Sequence, residues 1–285
     1  MATASNAKKF RVGILGYGSL GKHIHNQIQL RGDEIGFEIA FVWNRTATVL
    51  SQLPQELVLP KIEDFKLYEP DLVIEVAHPD VTKRFGAEIL SKCDYFIGSP
   101  SVLADRELEL SLTESIQNSK KRLFVPNGAL WGTQEIRRMS NAGKLQAVEI
   151  EMRFHPHSLK LLGKLAELNA TVNSTPVTLF EGPIREVCPL APNNTNTMAC
   201  AAIAAYSLGF DKVIGRLVSD PNLSDFHIIE INVYGPVTNG NQFHVLTRRM
   251  SPAKVGSVTS SATHDAFFNS IVQCRSLIDI GIVLC

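Results

Sequence analysis

The 285-residue chain lacks an excess of either charge: 28 Lys and Arg stand against 28 Asp and Glu. That balance excludes a polybasic binder of nucleic acid or of a membrane surface. An anionic ligand must therefore be attracted by a local site. No apolar run reaches the roughly 18 residues that a bilayer span needs. The most apolar stretch, residues 198–210, is short and rich in alanine, which suits a buried helix. The N-terminal residues have no apolar signal core. Five cysteines (Cys93, Cys188, Cys200, Cys274 and Cys285) form no CxxC pair. Reduced thiols in a cytoplasmic protein are expected, not a disulfide frame or a zinc site. His155 and His157 flank a proline and cannot easily grip one metal, and no third ligand has suitable spacing, so no metal is expected. Neither a Ser/His/Asp order nor a nucleophile elbow supports hydrolase chemistry.

What is present falls into two rhythms. Before about residue 145, short apolar runs alternate with helical patterns, which is the signature of βαβ units and a parallel sheet. The runs are Phe10–Leu15, Phe37–Trp43, 72–77, 95–98 and Leu123–Val125, with helices expected over 19–30, 79–91, 105–118 and 132–141. Residues 60–70 read as a weaker strand or a turn. After residue 145 the pattern is strand-heavy. Val148, Ile150, Met152 and Phe154 share one face, and Glu149, Glu151 and Arg153 the other. Further strands are expected over 176–180, 212–219, 226–234 and 242–249, one long helix over 195–208, and a last helix over 264–280. The fold class is thus α/β: a Rossmann-type, doubly wound parallel sheet and a second α+β domain on a mixed or antiparallel sheet. The expected division is residues 1–145 for the dinucleotide, 146–262 for substrate and catalysis, and 263–285 as a helix packing back on the first domain.

The first strand runs directly into Gly16-Tyr17-Gly18-Ser19-Leu20-Gly21. This is GxGxxG between a strand and a helix, the context in which it binds dinucleotides. Gly16 permits the tight turn, Gly18 lets the backbone approach a pyrophosphate, and Gly21 allows close helix–strand contact. The N–H groups of Ser19, Leu20 and Gly21 then open the helix toward the phosphates. NAD-selective sites place Asp or Glu at the end of the second strand. Here that strand ends in Asn44, Arg45 and Thr46. These can donate to phosphate oxygens without repelling them, which favours NADP over NAD or tolerance of both. A solvated loop arginine is the competing reading.

Two features stand out in the second half. Pro192-Asn193-Asn194-Thr195-Asn196-Thr197 opens the alanine-rich helix with more polar groups than one cap requires. Such a rim at the positive end of a helix dipole suits a nicotinamide carboxamide or a substrate carboxylate. Over-provision of capping and turn chemistry is the alternative. The second feature is His227, which follows the Asp220-Pro221 turn and shares strand parity with Ile229, Ile231 and Val233. A core histidine and a general acid/base both fit, and pattern alone does not choose.

Several stretches together resemble the L-aspartate dehydrogenase family, its animal members in particular. They are the loop Gly16–Gly21, residues 72–77, Phe124-Val125-Pro126-Asn127-Gly128-Ala129, Phe180-Glu181-Gly182-Pro183, residues 192–205, 209–213 and 220–230, and the segment from Ser251 to Thr263. The resemblance implies reversible NAD(P)-dependent oxidation of L-aspartate to iminoaspartate, which hydrolyses to oxaloacetate and ammonia. It makes His227 the catalytic residue, and Ala129 and Asn196 the contacts to the nicotinamide end. Asn193, Asn194 and Thr197 are the first choice for binding the small dicarboxylic amino acid, with Arg153 second. A homodimer is expected, with no nucleic-acid or membrane partner. The rival readings are a dehydrogenase of another small amino or carbonyl substrate and a non-catalytic NAD(P)-binding sensor or scaffold.

Overall fold

Apolar β-branched runs at the start of the chain can lie only in a sheet covered on both faces, and they do so here. The computed structural model describes residues 8–258 and 263–285. Six strands build one parallel sheet: β1 (Phe10–Leu15), β2 (Phe37–Trp43), β3 (Leu72–Glu75), β4 (Asp94–Ile97), β5 (Leu123–Val125) and β11 (Ile282–Leu284). Their order is β11-β5-β4-β3-β1-β2. Alternate side chains feed two cores, for example Val73 and Tyr95 into one, and Ile74 and Phe96 into the other. The covering helices are α1 (Ser19–Ile35), α2 (Pro79–Leu90), α3 (Arg106–Ser119) and α4 (Thr133–Asn141).

The second sheet contains β6 (Ala147–Phe154), β7 (Val177–Pro183), β8 (Ile214–Ser219), β9 (Phe226–Thr238) and β10 (Asn241–Pro252), in the order β10-β9-β6-β8-β7. It is mixed, because β6 and β8 run parallel while the other pairs are antiparallel. Val148, Ile150, Met152 and Phe154 are buried on one face. The opposite face is a ladder of charges in which Arg216 bridges Glu151 and Glu181 at 3.4 and 2.9 Å. Short helices α5 (Gly163–Ala170), α6 (Ile184–Val187) and α8 (Gly209–Lys212) flank α7 (Asn196–Ala204), which is buried along most of its length.

Three expectations change. Residues 60–70 form neither strand nor simple turn but a 3-10 helix over Ile62–Tyr68, whose Ile62 and Phe65 are buried. The long helix expected over 195–208 breaks at Ala205, whose ψ of 47° leaves the helical region, and a turn leads to Gly209, which at φ 63° starts α8. The last helix, α9 (Thr263–Cys274), is shorter than the expected 264–280. The chain then turns and adds β11 as an edge strand beside β5. Phe267, Phe268 and Ile271 of α9 pack into the core of the first sheet, with Phe267 edge-on to Phe96 at 5.0 Å. The expected boundary at residue 262, and most of the resemblance over 258–263, lie outside the described residues.

Candidate functional site

The carboxyl ends of parallel strands are where open α/β sheets bind ligands, and two cavities meet there across the glycine loop. The outer one, about 580 Å³, is lined by Gly16 and Gly18, by Asn44, Arg45 and Thr46, and by Ala77 and His78 after β3. The inner one, about 290 Å³, is reached by Leu20 from the other side of the loop. Gly16 has a φ of 111°, and an added Cβ would lie 2.7 Å from the Val76–Ala77 backbone. At Gly21 a Cβ would meet the Gly16 carbonyl oxygen at 2.0 Å, whereas Gly18 has open space around it. The loop is thus pressed against the backbone after β3 at Gly16, closed on itself at Gly21, and clear at its middle, the shape a diphosphate needs. Asn44 holds it there: its Oδ1 accepts the Tyr17 N–H at 2.9 Å, and its Nδ2 donates to the Thr46 carbonyl at 3.1 Å. Ser19 is exposed on the first turn of α1 and lines neither cavity. Arg45 is exposed, and Lys61 and Arg84 join it in the outer cleft, two further cations that sequence reading missed, beside the carboxylates of Glu63 and Asp80.

Both sheets and α9 wall the inner cavity. From the first sheet come Gly98, Pro126, Asn127, Gly128 and Ala129; from the second, Met152, Phe154, His227 and Ile229; from α9, Phe267 and Ser270. Asn193, Asn194, Asn196 and Thr197 line it from the start of α7. Apart from Arg153, the residues expected at the nicotinamide and substrate end line this one cavity. They differ in freedom. Asn194 is buried and committed, donating from Nδ2 to the Ser158 carbonyl at 3.1 Å and accepting the Lys160 N–H on Oδ1 at 2.8 Å. Asn196 accepts the Ser101 N–H on Oδ1 at 3.3 Å, leaving its amide hydrogens. Asn193 is exposed at the rim.

His227 opens β9 opposite Ser251 of β10 and is 6% exposed, with its ring edge-on to Phe154 at 4.7 Å. The Ser257 backbone accepts a hydrogen bond from the ring. Nε2 is buried and has no partner among the described residues, although the residue lines the cavity. Burial lowers the imidazole pKa below its ordinary 6.5, and the Ser257 carbonyl offsets this only in part. Asn127 Oδ1 and Ser251 Oγ are two more buried polar atoms without partners among the described residues, and both residues line this cavity. Groups of this kind normally find a hydrogen bond, so three orphans in one cavity mark a place built to receive a polar ligand. Asn127 was legible in its Asn-Gly turn at a strand's carboxyl end; Arg249, which also lines the cavity, was not expected.

Arg153 must be corrected. It lies on the opposite face of β6, with a nitrogen 2.6 Å from Glu151 Oε1 and another 3.6 Å from Asp220. Odd positions of β6 point away from the cavity because Met152 and Phe154 point into it. Among the described residues no cluster of three or more His, Cys, Asp or Glu could hold a metal. No described helix is long and apolar enough to cross a membrane.

A glycine loop at the first βα turn, joined to a mixed-sheet half that supplies a histidine and amides, defines a two-part NAD(P)-binding dehydrogenase. The comparisons give the particular family. The family model described as homoserine dehydrogenase, NAD binding domain, matches residues 16–126, and the one described as aspartate dehydrogenase, C-terminal, matches residues 135–270. An aspartate dehydrogenase domain-containing protein of Danio rerio is 44% identical over 94% of this chain and 96% of its own. An L-aspartate dehydrogenase of Nitrosopumilus maritimus is 26% identical over 80% and 85%. The solved aspartate dehydrogenase of Thermotoga maritima shares the fold with a TM-score of 0.66, at 21% identity over 96% of this chain and 98% of its own. The chain belongs to the aspartate dehydrogenase family of oxidoreductases.

Proposed function

We propose that the protein catalyses reversible, NAD(P)-dependent oxidation of L-aspartate to iminoaspartate, which water converts to oxaloacetate and ammonia. The observation that carries this reading is the imidazole of His227, held beside the Ser257 backbone and unpartnered at Nε2 among the described residues, in the cavity that Leu20 of the glycine loop also lines. Nε2 accepts a proton from the substrate ammonium group, leaving a nitrogen lone pair that assists departure of hydride from the α-carbon. After releasing that proton, it accepts another from the water that adds to the imine carbon. Its lowered pKa keeps the ring neutral, and so basic, at neutral pH.

The nicotinamide cofactor supplies the hydride acceptor when bound. The free N–H groups of Ser19, Leu20 and Gly21 hold its diphosphate at the positive end of α1. Asn127 Oδ1, Asn196 and the Ala129 backbone orient its carboxamide. Asn193 and Thr197 receive one substrate carboxylate at the start of α7, while Asn194 fixes that start to the segment after β6. Arg45, with Thr46, Lys61 and Arg84, supports NADP over NAD: the cations outnumber Glu63 and Asp80 in the outer cleft, and β2 ends without a carboxylate to hold a ribose hydroxyl. The reading includes a cytoplasmic homodimer, supported by five free buried cysteines and by exposed Phe243, Val245 and Leu246 on edge strand β10.

The test is reduction of oxaloacetate with ammonia, followed by loss of NADPH or NADH absorbance. Turnover is expected with both cofactors and is faster with NADPH. His227→Ala is expected to lower kcat by about 10²–10⁴-fold while NADPH affinity, read by fluorescence titration, stays within a factor of about two. A variant with full activity removes the acid/base role.

A further inference from the structure

The inner cavity has one fixed charge. Among the described residues lining it there is no Asp, Glu or Lys, and its one guanidinium is Arg249 of β10. Arg249 is half-buried and makes no hydrogen bond or ion pair with the described residues, in contrast to the other arginines of the same sheet. Arg153 and Arg216 are held by Glu151, and Arg248, its neighbour in sequence, is 3.1 Å from Glu230 on the opposite face. The alternation of β10 is what separates them: Arg248 faces the charge ladder, and Arg249 faces the cavity with Ser251. A half-buried guanidinium with no counter-ion among the described residues is a two-pronged receptor for a carboxylate.

Strand register says which carboxylate. Ser251 lies opposite His227 and Arg249 opposite Ile229. Arg249 is therefore rooted two residues, about 7 Å, along the sheet from the level of the imidazole. The reacting carbon and its own carboxylate belong beside His227 and the start of α7, and a group at the other end of the substrate reaches Arg249. We propose that Arg249 binds the distal, side-chain carboxylate and so sets the preference of this site for dicarboxylates. The Ser251 hydroxyl, unpartnered among the described residues, shares this face of β10 at the level of the imidazole and is a second donor. This assignment rests on the substrate class proposed above.

The experiment uses the full chain loaded with NADPH and compares wild type with Arg249→Gln and Arg249→Lys. Oxaloacetate and pyruvate, each with ammonia, report turnover; succinate, which cannot be reduced, reports binding by calorimetry. For Arg249→Gln we expect KM for oxaloacetate and Kd for succinate to rise about 10–100-fold, the loss of a charged hydrogen-bonded pair. KM for pyruvate should be unchanged, so that discrimination between the two acids collapses. Arg249→Lys should fall between, because it keeps the charge and loses the fork. Equal losses for oxaloacetate and pyruvate, or unchanged succinate binding, overturn the proposal. If wild type binds succinate through Arg249 but turns over neither acid, the aspartate reading fails and the carboxylate receptor stands. If oxaloacetate is reduced as well by both variants as by wild type, the receptor fails alone.

Discussion

At the carboxyl end of β3 a glutamate sits where no water reaches it. Glu75 is fully buried; its Oε1 accepts the Ala77 N–H at 2.7 Å and its Oε2 has no partner among the described residues. Burial pushes its pKa up from 4.5 to about 7, against the opposing effect of backbone N–H groups of Ala77, His78 and Gly98. The side chain thereby fixes the Val76–Ala77 backbone against which Gly16 turns. A carboxyl whose pKa is raised on folding favours the native state while it is protonated. Its contribution is complete below about pH 4.5 and disappears as the pH rises through about 7. The native state should lose on the order of 3 kcal/mol across that window from this group. Glu75→Gln retains the acceptor for Ala77 and cannot ionise. Denaturant unfolding at pH 5 and pH 8 should therefore show a smaller fall for the variant than for wild type. Equal falls would locate the titration elsewhere.

The glycine loop acts as one element, and its three glycines make separable demands. A methyl at Gly21 meets the Gly16 carbonyl at 2.0 Å, and both atoms belong to backbone that cannot swing aside. Gly21→Ala is expected to lower stability by about 1–3 kcal/mol and NADPH affinity at least tenfold. Gly18→Ala meets nothing within 4 Å, so its melting temperature should match wild type while NADPH affinity falls, because the methyl occupies the approach to the diphosphate. A variant pair with the same loss of stability would contradict this division. Elements of this kind were legible in sequence because their constraint is local: β1, β2 and β5 run to the expected residues, and α1 starts at the expected Ser19. Pairings set by distant chain were not. Residues 282–284 carry only three apolar positions and become a strand because β5 offers an open edge. Arg249 escaped notice for the same reason, since Arg248 and Arg249 are equivalent in composition and only the register against β9 divides them. His227 was found, and its role was chosen by resemblance rather than by pattern.

For the whole molecule the decisive fact is that the chain leaves the first sheet after α4, builds the second, and returns through α9 and β11. Two connections cross between the halves, and α9 contributes Phe267 and Ser270 to the cavity wall while packing on α1 and β4. A dinucleotide lying over the glycine loop therefore touches groups carried by both sheets. Binding to the native state alone stabilises it by about 2.7 kcal/mol at a hundredfold excess over Kd. For a chain of this size that corresponds to roughly 4–5 °C in melting temperature. One unfolding transition, shifted upward as a unit by NADPH, is the expected calorimetric result. Two transitions of which only one responded would mean that the second sheet contributes nothing to holding the dinucleotide, and His227 would then lie too far from the nicotinamide end to exchange protons with a substrate there.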